Sequence, residues 1–197
     1  MPAVQAQQPF REYPGFEYYA EHQLPPDWEK PGEFVTGRLM YPAGGRFGRR
    51  RGGGWENGGT SWAVDYPEGD RTFVQLLRRF STIDARSVEQ PVNPDDADDM
   101  GYWPFLMVGL AGYWELSDTQ IPNMNSLMGG GGGWLEDGSE PHWRGVIDDH
   151  GRLLVLIAFN IDVADSWQWA DEPSYPAERV NLGLRLAVNI AVYAMTH

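Results

Sequence analysis

The chain has 197 residues, 28 acidic against 15 basic side chains, a formal net charge of −13 and no cysteine. Its length allows one domain of roughly 100–200 residues with a real core, and an apolar content of 42% with 13% aromatics excludes general disorder. The acidic balance argues against a nucleic-acid binder, which needs a basic face. No apolar run approaches the roughly 20 residues of a membrane span. Without a thiol there is no disulfide framework, thiolate zinc site, iron–sulfur cluster or cysteine nucleophile.

Val4-Gln5-Ala6 ahead of Gln7 reads as the small-residue end of an export signal. The expected location is therefore periplasmic or extracellular, which suits a chain without free thiols. Prolines at 2, 9, 14, 25, 26 and 31 make residues 1–32 an extended arm, anchored by Phe10, Tyr13, Phe16, Tyr18, Tyr19 and Trp28. Residues 33–197 form the single domain. Residues 34–41 (FVTGRLMY), ended by Pro42, are a strand. The Gly/Arg stretch 43–59 that follows cannot be regular structure, and residues 60–65 read as a short extended segment. Asp70 stands where it would cap a helix with Phe73, Leu76, Leu77 and Phe80 on its apolar stripe and Arg71, Arg78 and Arg79 off it. Residues 85–88 suggest a short strand. Asp95, Asp96, Asp98 and Asp99 in 93–100 read as a solvated acidic loop, because the glycine and terminal glutamate of a calcium loop are missing.

Residues 103–110 (WPFLMVGL) are nearly all apolar, as a strand buried on both faces should be. A helix over 117–128 carries Pro122, which shortens or kinks it. The glycines at 129–133 form a bridge, and Asp148-Asp149-His150-Gly151 reads as a turn. Residues 152–159 (RLLVLIAF) read as the second fully buried strand. A closing helix over 176–194 places Val180, Leu184, Ala187 and Ala191 on one face, widened by Leu182, Leu186 and Ile190. This alternation predicts an α/β fold with a mostly parallel sheet flanked by helices.

Arg49, Arg50 and Arg51 stand among glycines with Trp55 nearby. Guanidinium groups grip phosphate or carboxylate bidentately, and glycines let the backbone approach a ligand. A loop after the first strand would lie at the carboxyl end of the sheet, where open α/β sheets bind ligands. Asp65, Tyr66, Trp134 and Asp137 are placed around the same end. With His142, Trp143, Asp162 and Asp165 they make the candidate set for a small anionic or sugar ligand. The plainer reading is a surface loop whose arginines pair with the chain's surplus carboxylates. No Gly-Lys-Ser/Thr ending marks a nucleotide loop, the histidines at 22, 142, 150 and 197 lack metal-ligand spacing, and no serine sits in a Gly-x-Ser-x-Gly elbow. No metal or cofactor is expected.

Several blocks are more specific. FVTGRLMYP (34–42), WAVDYP (62–67), the helix DRTFVQLLRR, PHWRGVIDDHGR (141–152), then FNIDVADSWQWAD and the ending VYAMTH occur in order. Together they resemble the bacterial family of Domain of Unknown Function 4159 over most of residues 30–197. The resemblance implies a flavodoxin-like fold similar to class I glutamine amidotransferases, in exported or membrane-associated proteins, with no known activity.

Two departures stand out. Where the family carries Gly-Gly-Phe-Leu…Asp, this chain has Gly132-Gly133-Trp134-Leu135-Glu136-Asp137, and only Gly138, Ser139 and Glu140 precede the 141–152 block. A longer segment is expected there, and loss of a strand with its helix leaves a sheet edge open to another chain. The amidotransferase thiolate is also absent, which excludes cysteine-dependent glutaminase activity. The expected function is a non-catalytic exported module acting in protein–protein interaction or self-assembly. Ligand or carbohydrate binding by the Gly/Arg loop is the alternative, and a hydrolase using Asp162, Asp165 or His142 ranks last.

Overall fold

The computed structural model describes residues 9–15, 23–43, 54–127, 142–159 and 161–197. Strand β1 (Thr36–Leu39) lies between β2 (Gln90–Val92) and β3 (Phe105–Met107) and runs parallel to both. Alternation along β1 sorts its side chains onto two faces. Val35 and Leu39 pack with Val92, Met100, Trp103 and Met124, under α2 (Ala97–Tyr102) and α3 (Gln120–Leu127). Opposite them, Phe34, Phe105 and Met107 meet Phe73, Val74 and Leu77 of α1 (Glu68–Phe80). Trp167 of α4 (Asp165–Gln168) and Ala187 and Ala191 of α5 (Ala177–Thr196) complete that layer. Gly37 sits where a side chain would be squeezed, since a Cβ there would lie 3.0 Å from Leu106 Cδ1 and 3.2 Å from Val92 Cγ2. The chain is thus an α/β fold with a mostly parallel sheet flanked by helices. Its order β2-β1-β3 is consistent with a flavodoxin-like arrangement.

Several local expectations shift. Residues 60–65 are not extended: Ser61–Ala63 is a 3₁₀ turn closed by bonds from the Ala63 and Val64 amides to the Thr60 and Ser61 carbonyls. Helix α1 starts two residues before Asp70, so Asp70 is no cap but a buried first-turn carboxylate. Phe80 overshoots the core and is exposed, with the Arg79 guanidinium 5.5 Å from its ring centroid. Ala85 makes only a bridge to Phe34, and the strand forms at 90–92 instead. The acidic stretch is no loop throughout: Asp96 caps α2, accepting from the amides of Asp98 and Asp99 at 3.0 and 3.1 Å. Pro122 is the third residue of α3, where its missing N–H falls among first-turn donors that have no intrahelical acceptor.

The largest difference concerns residues 152–159. They form β5 (Leu153–Phe159), paired antiparallel with β4 (His142–Ile147) in a separate two-stranded ribbon, not a buried parallel strand. The turn is the expected one. Gly151 takes a φ of 80°, and Asp148 accepts from the His150 and Arg152 amides at 2.9 and 2.8 Å.

Candidate functional site

Open α/β sheets bind ligands at the carboxyl ends of the strands where strand order reverses, which here is the crevice between β1 and β3. This chain fills that crevice with its own side chains. Arg38 of β1 is 1% exposed. Its Nη1 donates to Asp70 Oδ2 at 3.2 Å, its Nε and Nη2 to the Trp62 carbonyl at 3.0 and 2.8 Å, and its Nη2 to the Val64 carbonyl at 2.6 Å. Gly109, just after β3, has no room for a side chain because a Cβ would come within 2.7 Å of Arg38 Nη2. The Tyr41 hydroxyl lies 3.0 Å from the Leu110 carbonyl and 3.3 Å from Ser61 Oγ, and burial pushes its pKa up to about 12.

Beside this pair, Arg71 donates from Nε and Nη2 to both oxygens of the fully buried Glu89, at 3.1 and 3.2 Å. Burial raises the Asp70 carboxyl to about 6 against the pull of Arg38. The Tyr66 hydroxyl is raised by burial first and then by the charges of Glu89 and Asp70, so it stays neutral at physiological pH. The guanidinium at the switch point is therefore spent on internal acceptors, and the layer is a structural ionic core. Sequence reading missed it. Its available signal was one arginine inside an apolar strand, with Asp70 on the inner side of the following helix.

The structure disperses some of the candidate residues and gathers others. Arg49, Arg50, Arg51, Trp134 and Asp137, with the 129–133 glycines, lie outside the described residues. Trp55 is half-buried, and its carbonyl accepts from Trp62 Nε1 at 2.7 Å. Tyr66 is buried in the ionic core, His142 opens β4, and Trp143 is exposed on the ribbon. Asp65, Asp162 and Asp165 do come together, each offering a carboxylate oxygen, all within 4.8 Å of one another. The three could supply part of the oxygen shell of a hard divalent cation. They also stand at helix N-termini, α1 for Asp65 and α4 for Asp162 and Asp165, where the helix dipole favours negative charge. Asp162 accepts from the Asp165 amide at 3.3 Å.

Crowding has a measurable consequence. Burial, then the Asp162 charge, raises the Asp165 pKa. A carboxyl raised in the folded state lends stability at low pH and loses it as pH rises through the folded pKa. Asp165→Asn should therefore raise the melting temperature at pH 7 by about 1–3 °C, the size of a partly exposed charge effect. The gain should shrink as pH falls and vanish below about pH 3, where the carboxyl is protonated in both the folded and the unfolded chain. Thermal melts at the two pH values check this, and a lower melting temperature for the variant at pH 7 would contradict it.

Among the described residues, no helix is long and apolar enough to cross a membrane. Comparison with curated proteins and with solved structures returns no match. Residues 132–195 match the family described as Domain of unknown function (DUF4159), a stretch that holds the ribbon, α4 and α5. The parallel sheet and the blocks at 34–42 and 62–67 lie outside it. Similarity to that family therefore rests on the C-terminal third of the chain.

Proposed function

We propose that the protein is a non-catalytic, exported α/β module that self-associates through its β4–β5 ribbon. The observation that carries this reading is the ribbon's surface: Trp143, Ile147, Leu154, Leu156 and Ile157 are 45%, 64%, 46%, 37% and 41% exposed. The register pairs Trp143 with Ala158 and Gly145 with Leu156, which puts Trp143 and Leu156 on one face, and Ile157, opposite Arg144, on the other. A ribbon apolar on both faces has a reason to acquire further strands, because two strands alone are marginal in water and exposed apolar patches mark interfaces.

A second copy is the partner that charge favours. The chain carries −13, yet the ribbon balances Arg144 and Arg152 against Asp148 and Asp149, so two ribbons approach without net local repulsion. Helix α5 extends the apolar surface. Its Tyr193 hydroxyl accepts from the Leu153 amide at 2.8 Å, and its Val192 and Met195 are exposed nearby in sequence. A two-fold pairing of identical patches closes on itself and needs no other component. The small-residue Val4–Gln7 signature and the absence of cysteine support export.

Amide hydrogen exchange tests the reading. Exchange in residues 142–159 should slow as protein concentration rises through the micromolar range, while β1 to β3 stay unchanged. Protection of the ribbon that is independent of concentration would contradict it.

A further inference from the structure

Three buried side-chain atoms of the ionic core, Thr36 Oγ1, Tyr66 Oη and Asp70 Oδ1, have no hydrogen-bond partner among the described residues. Thr36 and Asp70 are 0% exposed and Tyr66 is 2% exposed. A polar atom shut away from solvent and left unpaired carries its full desolvation cost, so folded proteins hold few of them.

The topology brings the three to one place. Phe34, Thr36 and Arg38 share the face of β1 that looks at α1, while Val35 and Leu39 take the other. Phe34 meets Phe73 with ring centroids 6.4 Å apart, and Arg38 meets Asp70, so the first turns of α1 pass over Thr36. The parallel register Gly37↔Gln90 sets Thr36 level with Glu89, the residue just before β2. Glu89 is held by Arg71, which follows Asp70 on α1. The charges of Glu89 and Asp70 both act on the Tyr66 hydroxyl, which lies beside Glu89 without bonding it.

Charge decides what such a place can hold. Arg38 pairs with Asp70 and Arg71 with Glu89, so the surroundings are balanced. A cation there would face two guanidinium groups, and an anion would face two carboxylates. The guest is therefore small and neutral. It must donate to Asp70 Oδ1, which only accepts when ionised, accept from Tyr66 Oη, and bond a hydroxyl at Thr36. Water does all three, and a buried water typically takes about two to four polar partners. We infer that one water molecule is bound between β1 and α1, donating to Asp70 Oδ1, accepting from Tyr66 Oη and bonding Thr36 Oγ1. It joins the strand, the helix and the segment leading into the helix at one point. The site lies in the core of the parallel sheet and does not depend on association through the ribbon.

The test reads the water itself in the full chain. Magnetic relaxation dispersion of the water oxygen nucleus counts long-lived buried waters and does not respond to exchange of hydroxyl protons. Thr36→Val/Tyr66→Phe leaves Asp70 as the single polar partner and should lower the dispersion amplitude by the contribution of one water. Thr36→Ser keeps the hydroxyl and should retain the wild-type amplitude. An amplitude unchanged in the double variant, or lowered as much by Thr36→Ser, would overturn the inference. A crystal structure of the wild-type chain decides the matter even if the double variant fails to fold. It should show a water within hydrogen-bond distance of Thr36 Oγ1, Tyr66 Oη and Asp70 Oδ1, whereas direct bonds among these atoms, or an ion between them, would overturn it.

Discussion

Arg38→Met is expected to destabilise the protein by about 4 kcal/mol and lower its melting temperature by about 10–15 °C. The loss comes mainly from what remains behind. Asp70 is fully buried, and without Arg38 its carboxylate loses its ion-pair partner, while the Trp62 and Val64 carbonyls lose the donors that Arg38 supplies. The pH dependence gives the effect a signature. Asp70 is raised from 3.8 to about 6 in the folded state, so its contribution is fully present below 3.8 and is lost as pH rises through about 6. With the cation removed that loss deepens, and the gap between wild type and variant should be smallest near pH 4 and widest at neutral pH. Adding Asp70→Leu to Arg38→Met removes the orphaned carboxylate and should restore stability to within about 1–2 kcal/mol of wild type. Denaturant melts at both pH values read all of this. A single variant within about 1 kcal/mol of wild type at pH 7 would mean the buried pair is not what ties β1 to α1.

Trp143→Lys carries the second large effect, on association rather than folding. Trp143 is 45% exposed in one copy, so the monomer should change by about 1 kcal/mol or less. In a two-fold interface the same side chain counts twice. A tryptophan near the centre of an interface costs about 2 kcal/mol or more when removed, so the pair amounts to about 4 kcal/mol and close to a thousandfold in Kd. Lysine adds an unpaired charge to the buried patch in each copy. Sedimentation equilibrium of the two proteins checks the ratio, and an unchanged Kd would remove the ribbon face bearing Trp143 and Leu156 from the interface.

How much of this was legible in the sequence depended on whether the signal was local. The spacing of Phe73 and Leu77 identified α1 and its buried face, and Ala187 and Ala191 did the same for α5. Asp148 to Gly151 announced a turn through chemistry confined to a few residues. Asp65, Asp162 and Asp165 were each selected, but their convergence was not, since Asp65 is nearly a hundred positions from the other two. Long-range partners were invisible for the same reason: nothing near Arg38 in sequence points to an acceptor on α1. The 152–159 run shows the limit of periodicity. An all-apolar strand reads as buried whether or not neighbouring strands exist to bury it. Its partner β4 went unread as a strand because Arg144 and Gly145 break the β pattern, although Gly145 is where Leu153 packs, with Cδ1 only 2.5 Å from where a Cβ would stand. A strand that is buried by its composition and exposed by its fold is also the feature that motivates the proposed association.

Light scattering coupled to size exclusion across a concentration series tests that association most directly. The mass should rise from 22.2 kDa toward twice that value as concentration increases, and Trp143→Lys should hold it at the monomer. A wild-type mass fixed at 22.2 kDa throughout the series would contradict the self-associating module.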